Sequence, residues 1–423
     1  MKSSQLLDEA TAFYLDSKDF NGYPCHQIKR MHKLSEDELR TLLCELVEQG
    51  NGALVFGDIH PNPHIRAFPD EPKANQLDKL GNLPLDYICL YPTPDHLKDV
   101  VDVNKYEGKP YSMELALGSA QLEFHVFDLS VLEIYRNDPR YYYTTDDING
   151  NICISDEFYL SSGTPEKDKV LLDTFGFAYD DGLNRAVAVF IRYLSGLSSE
   201  HQQIWKSKEK IGGYKLHPDY FRNCILGEWG EKISIFVAFV EELHLINKMC
   251  SVMGRPHIFN EDFYENRPRT FSFLVRPTLE EYNSFVLTLD KMMSDNINKE
   301  FFMNEVSDES EEIRNDGKII IKSKGTITML DEWLNLRFRP SDRKTMQNLI
   351  NVFKKVRKLR QKPAHVIRLN VFDQKFFHLQ RELIVTAYDA VRTLRLIFAN
   401  HPLVCAAKID ILDYLYEGKI WTY

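Results

Sequence analysis

Two long amphipathic runs near the C-terminus constrain this chain more than any other feature. From Asp342 to Leu359, the residues Met346, Leu349, Ile350, Phe353 and Val356 recur at helical spacing. From Asp373 to Phe398 the same spacing carries Phe377, Leu383, Ile384, Ala387, Tyr388, Val391 and Leu394. A repeat near 3.6 residues puts each set on one side of an α-helix, and that side needs a partner surface. Residues 331–423 are therefore expected to form an all-α helical bundle.

The first part of the chain has a different texture. Ser35 followed by Glu38 makes a capping box, Leu39, Leu42, Leu43 and Leu46 share one face, and Gly50 can end the helix so defined, over 35–49. Beyond it, short apolar runs such as Ala53-Leu54-Val55-Phe56 and Tyr87-Ile88-Cys89-Leu90 alternate with proline-rich turns. Leu122, Phe124 and Val126 alternate with polar neighbours, as in a half-buried strand. Asn149-Gly150 lies between Tyr141-Tyr142-Tyr143 and Ile152-Cys153-Ile154, a hairpin signal. Residues 1–160 thus read as a β-rich α+β domain.

From about residue 165 the spacing turns helical, over 185–197, 218–229, 233–253 and 279–302, with Gly254 as a cap for the third. Phe271 to Val275 reads as a short extended piece. These segments define a helical middle domain, 161–303. The acidic stretch with Glu305, Asp308, Glu309, Glu311, Glu312 and Asp316 reads as a solvated linker, and 318–329 as a β-hairpin around Gly325. Residues 304–330 form the divide, and the fold class is α+β.

A length of 423 residues suffices for two or three domains with their own cores. The net charge of −10 argues against a chain that coats nucleic acid over its whole surface, while leaving room for one basic site. Seven scattered cysteines, none in a Cys-x-x-Cys pair, support neither a zinc knuckle nor a disulfide framework. No run of about 18 apolar residues occurs, and the polar start Met1 to Asp8 lacks an apolar signal core. A cytoplasmic protein is expected.

Several constellations fall short. Asp58 and His60, with His64 nearby, follow a strand-like run as a metal motif would, but the companion motifs are missing. Gly212-Gly213-Tyr214-Lys215 lacks phosphate-loop spacing. Glu241-Glu242-Leu243-His244 reads as a solvated helical face. Neither a metal nor a cofactor is expected.

Between the two long helical runs lies Arg360-Gln361-Lys362-Pro363-Ala364-His365. An arginine and a histidine brought together can cleave RNA without a metal: the histidine moves protons and the arginine holds the charge that builds on phosphorus. The surroundings are basic. From Pro340 to Asn400 there are 13 Lys and Arg against 4 Asp and Glu, on a chain that is acidic overall. A second pair of the same type, Arg395 and His401, closes the last long run.

The arrangement of long helix, Arg-polar-x-x-Ala-His and long helix resembles the HEPN superfamily (higher eukaryotes and prokaryotes nucleotide-binding domains), over roughly 330–415. Many members are ribonucleases of prokaryotic toxin, abortive-infection and antiphage systems. The resemblance implies a helical bundle that forms a homodimer, and metal-independent cleavage in which the ribose 2′-hydroxyl attacks the neighbouring phosphate. It implies that Arg360 stabilises the phosphorane, that His365 is general acid or base, and that Gln361 fills the polar position that orients them. Arg357, Lys358, Lys362 and Arg368 would then hold the RNA backbone, and the N-terminal part would sense a trigger or restrain the nuclease. The alternative is a binding or scaffold protein whose helical module mediates dimerisation or nucleic-acid contact without cleavage.

Overall fold

The computed structural model describes residues 1–58, 60–313, 319–339, 343–361 and 369–422. The chain is mixed α+β, with many helices and several small sheets. It divides into two compact units, Met1–Gly230 and Glu231–Tyr423.

The first unit opens on the helices Ser3–Asp16, Cys25–His32 and Glu36–Gln49. The third starts as its sequence dictates. Ser35 Oγ accepts from the Glu38 amide at 3.2 Å, Glu38 Oε2 accepts from the Ser35 amide at 2.7 Å, and Gly50 ends the helix at φ +79°. Ser35→Ala is expected to lower stability by about 1 kcal/mol, read as the urea midpoint at constant slope; a shift of a few tenths or less would make the cap dispensable. These helices cover a three-stranded antiparallel sheet of β1 (Tyr23–Pro24), β2 (Gly52–Phe56) and β3 (Ile88–Pro92), in the order β1-β3-β2. Leu6, Ile28, Leu39, Leu43, Leu54 and Leu90 meet in its core.

The larger sheet holds β4 (Phe124–Phe127), β5 (Tyr141–Thr145), β6 (Asn149–Ile154), β7 (Leu171–Tyr179), β8 (Arg185–Phe190) and β9 (Lys215–Leu216). The order is β4-β8-β7-β6-β5, all antiparallel, with β9 added on β7. Two expectations change here. The β5–β6 hairpin exists, but it turns at Asp146 to Ile148, where Asp147 takes φ +70°. Gly150 lies in β6 opposite Thr145, and a Cβ there would fall 2.5 Å from the Phe175 ring.

The second change concerns 185–197, which reads as a helix but is strand β8 followed by the short helix Ile191–Ser195. Ala186 to Ile191 are all apolar and buried, and such a run fits a two-sided buried strand as well as a helix. The β-branched Val187 and Val189 favour the strand. A boundary at 160/161 would cut this sheet between β6 and β7.

His125, on the edge strand β4, clasps two neighbouring segments. Its Nε2 lies 2.8 Å from Glu114 Oε2, its Nδ1 bonds Glu209, and Lys206 Nζ reaches Glu209 at 2.6 Å. The Tyr111 ring meets the imidazole edge-on. Burial disfavours the charged imidazole, but the two carboxylates outweigh it and raise the His125 pKa. The clasp therefore contributes fully below about pH 6.5, the ordinary imidazole value, and is lost as pH rises through the raised folded value. Relative to His125→Gln, the wild-type unfolding free energy in urea is expected to decline upward from there. Parallel pH profiles for the two proteins would show that His125 holds nothing.

The second unit is built on four helices, Ile235–Val252, Leu279–Met293, Lys344–Gln361 and Lys375–Ala399, with Thr326–Arg337 alongside. The last long helix packs against the first and third, and the second packs against the third. One apolar core runs through all of them, from Ile235 to Leu415, and it includes Phe301, Phe302 and Trp333. Hence 304–330 does not separate two cores.

Expected boundaries shift within this unit. The 279–302 run breaks after Met293, where Asn296 Nδ2 donates to the Met292 and Glu261 carbonyls and Asn298 Oδ1 caps the 3-10 turn Lys299–Phe302. The 218–229 run becomes the short helix Pro218–Phe221 and a π-turn Arg222–Leu226. The acidic stretch is not only linker: β11 (Glu309–Ile313) pairs with β12 (Ile319–Ser323), while Gly325 caps the helix that follows. Phe271 to Val275 is buried but forms no strand; the Leu274 amide donates to Gln380 instead. Finally β13 (Ile420–Trp421) pairs in parallel with β10 (Ile233–Ser234). Among the described residues no helix is long and apolar enough to cross a membrane.

Candidate functional site

The helix Lys344–Gln361 buries Met346, Leu349, Ile350, Phe353 and Val356, the stripe its spacing predicts. With that face fixed, Arg357 and Arg360, one turn apart, fall together on its flank. They meet the end of the helix Leu279–Met293. Arg357 Nε lies 3.0 Å from Asp290 Oδ2, and its Nη2 lies 2.6 Å from Asp295 Oδ1. Arg360 Nη1 lies 2.8 Å from Asp290 Oδ2 and also bonds Asp295 Oδ2. Two guanidinium groups and two carboxylates form a closed square.

The members differ in setting. The Asp290 side chain is fully buried, that of Asp295 is 37% exposed, and those of Arg357 and Arg360 are 30% and 32% exposed. The helix Leu279–Met293 ends here. The partial negative charge of a helix C-terminus favours the arginines and opposes Asp290. Asp290 is tolerated because two cations reach it. The Asp290 carboxylate, by hydrogen bonding, raises the Arg360 pKa against the opposing effect of burial, so this guanidinium stays charged. Next to Asp295, the buried Ser294 hydroxyl has no hydrogen-bond partner among the described residues.

Of the residues assigned from sequence, Arg357 and Arg360 are brought together. Lys358 and Gln361 are exposed, and Gln361 is the last described residue of the helix. Lys362, His365 and Arg368 lie outside the described residues. Sequence reasoning missed Asp290 and Asp295. A signal for the first was present: Asp290 shares a face with the buried Val286 and Met293, and a carboxylate in an apolar stripe requires a cation.

The second Arg/His pair is of another kind. Arg395 is 4% exposed, and its Nε bonds the carboxylate of Glu242, which is fully buried. Tyr388 Oη donates to the other Glu242 oxygen at 3.5 Å. An arginine so enclosed holds two helices together. His401 accepts from the Leu403 amide and starts the helix Pro402–Ala407. Glu242 also departs from the solvated face expected for 241–244. Its neighbour His244 bonds Asp262 at 2.8 Å and stacks on Tyr264.

Elsewhere in the basic segment three lysines are paired. Lys354 reaches Asp331 at 3.3 Å, Lys355 reaches Glu382 at 3.6 Å and Lys375 reaches Asp373 at 2.6 Å. These exposed pairs contribute little to stability, but they thin the positive field expected from sequence. Asp58 is paired with Lys79 at 2.7 Å, and among the described residues no group of three or more His, Cys, Asp or Glu is placed to hold a metal. No family model matches this chain, and no curated protein or solved structure matches it either.

Proposed function

We propose that the C-terminal helices are a HEPN-like module and that the protein is a metal-independent endoribonuclease of an antiphage, abortive-infection or toxin-type system, acting in the cytoplasm. One observation carries this reading. Arg360 and Gln361 are the last described residues of a long helix, His365 follows them in the chain, and the next long helix packs back on the first. In the reaction a base takes the proton of the ribose 2′-hydroxyl, whose oxygen bonds to phosphorus as the 5′-oxygen leaves with a proton. His365 serves as acid or base, and Arg360 holds the charge on the phosphorane. Arg357, Lys358, Lys362 and Arg368 bind the backbone, two copies form the working homodimer, and the N-terminal unit senses a trigger or restrains the nuclease.

The test is cleavage of single-stranded RNA by the full chain with excess EDTA. The expected products end in 2′,3′-cyclic phosphates; loss of activity on chelation would count decisively against the metal-free mechanism.

A second reading is favoured by the square of charges itself. Arg357 and Arg360 are both held by Asp290 and Asp295, as suits a module that dimerises or binds nucleic acid without cleaving. In that case RNA stays intact in every buffer.

A further inference from the structure

We infer that the Asp295 carboxylate is an internal stand-in for an RNA phosphate on Arg357 and Arg360, and that it keeps this site closed until displaced. The inference rests on the reading of Arg360 as an RNA-contacting group.

The two aspartates divide the work. Asp290 is fully buried near the end of its helix and touches Arg357 Nε and Arg360 Nη1. It anchors the arginine pair from inside. Asp295 lies beyond the helix end, is partly exposed, and gives one oxygen to each guanidinium. Two oxygens of one monoanion spanning two arginines is the geometry a phosphodiester would adopt, since guanidinium forks match carboxylate and phosphate alike.

With both aspartates in place the charges of the square cancel, so the square itself offers a polyanion no net positive charge. With Asp295 moved aside, Asp290 balances one arginine and a net positive charge faces solvent. A carboxylate tethered in the same chain competes at a high effective concentration. Free RNA must therefore displace it, or a change in the segment that carries Asp295 must withdraw it. The site is thus an anion site whose vacancy is regulated by its own loop.

The experiment uses the full chain carrying Asp295→Asn, with Asp295→Ser as a second variant, and checks by thermal melting that each is folded. The probe is a short fluorescein-labelled 2′-O-methyl oligoribonucleotide, which lacks the 2′-hydroxyl nucleophile and survives the assay. Both variants are expected to bind about tenfold more tightly than wild type at low salt. The log–log salt slope should steepen by about 0.7, the value for one further phosphate neutralised on a single strand. Asp295→Asn/Arg360→Ala should fall back to wild-type affinity.

Equal or weaker binding by both folded Asp295 variants overturns the inference. If binding tightens but no variant cleaves unmodified RNA, the ribonuclease reading fails and the stand-in role survives. If Arg360→Ala abolishes cleavage while the Asp295 variants change neither affinity nor rate, the ribonuclease reading survives and the inference is lost.

Discussion

For the ribonuclease proposed above, Arg360→Ala is expected to slow RNA cleavage by roughly 10²–10³-fold, the usual loss when one donor to a developing oxyanion is removed, while the chain remains folded. The folded state survives because Arg357 still reaches both aspartates, so Asp290 keeps a cation. Removing both arginines is different in kind. Arg357→Ala/Arg360→Ala leaves a buried carboxylate without a partner and should cost roughly 3–5 kcal/mol. His365→Ala should reduce cleavage by roughly 10²–10⁴-fold, as for loss of a general acid or base. Rate constants under single-turnover conditions, with urea midpoints for the same preparations, separate the two effects. Single variants that cleave like wild type would end the catalytic assignment.

The second large effect concerns Glu242. Burial pushes its carboxyl pKa up, Arg395 pulls it down, and the net direction is upward. Taking both charges out of water is costly, and apolar side chains of the same shape commonly hold such a buried contact as well or better. Breaking it is still severe. Glu242→Ala strands Arg395 in the interface between the 235–252 and 375–399 helices, with Arg392 nearby, and should cost roughly 3–5 kcal/mol. The double replacement Glu242→Leu/Arg395→Met should recover most of that loss. Chemical denaturation of the three proteins measures both steps, and a single variant as stable as wild type would refute the argument.

What the sequence made legible follows from how local each cause is. The 344–361 and 375–399 helices were readable because each carries a continuous stripe, and the 36–49 helix because its cap lies within four residues. Strands β2 and β3 were readable as short apolar runs between turn residues, β4 from alternation, and β5 and β6 from the hairpin signal. Strand β8 was not, since its apolar run continues into the short helix Ile191–Ser195 and so reads as one longer helical segment. The candidate site was half legible. The Arg360 pattern is local, whereas its partners Asp290 and Asp295 come from another helix and the turn after it, and cancel a charge that counting along 340–400 leaves standing. Arg395 and His401 match the same pattern, and the pattern does not tell that Arg395 is buried against Glu242 while Arg360 is partly exposed.

The order of strands in the larger sheet has a consequence for synthesis. Strands β5 to β8 pair with neighbours in sequence, so each can add to the last with little loop to close. Strand β4 is made before them all but pairs with β8, Phe124 opposite Phe190. It leaves the ribosome first and finds its place last. Through that interval its edge and the apolar Val126 and Phe127 are open to other chains, so slowing translation between β4 and β8 lengthens the period in which aggregation competes with folding.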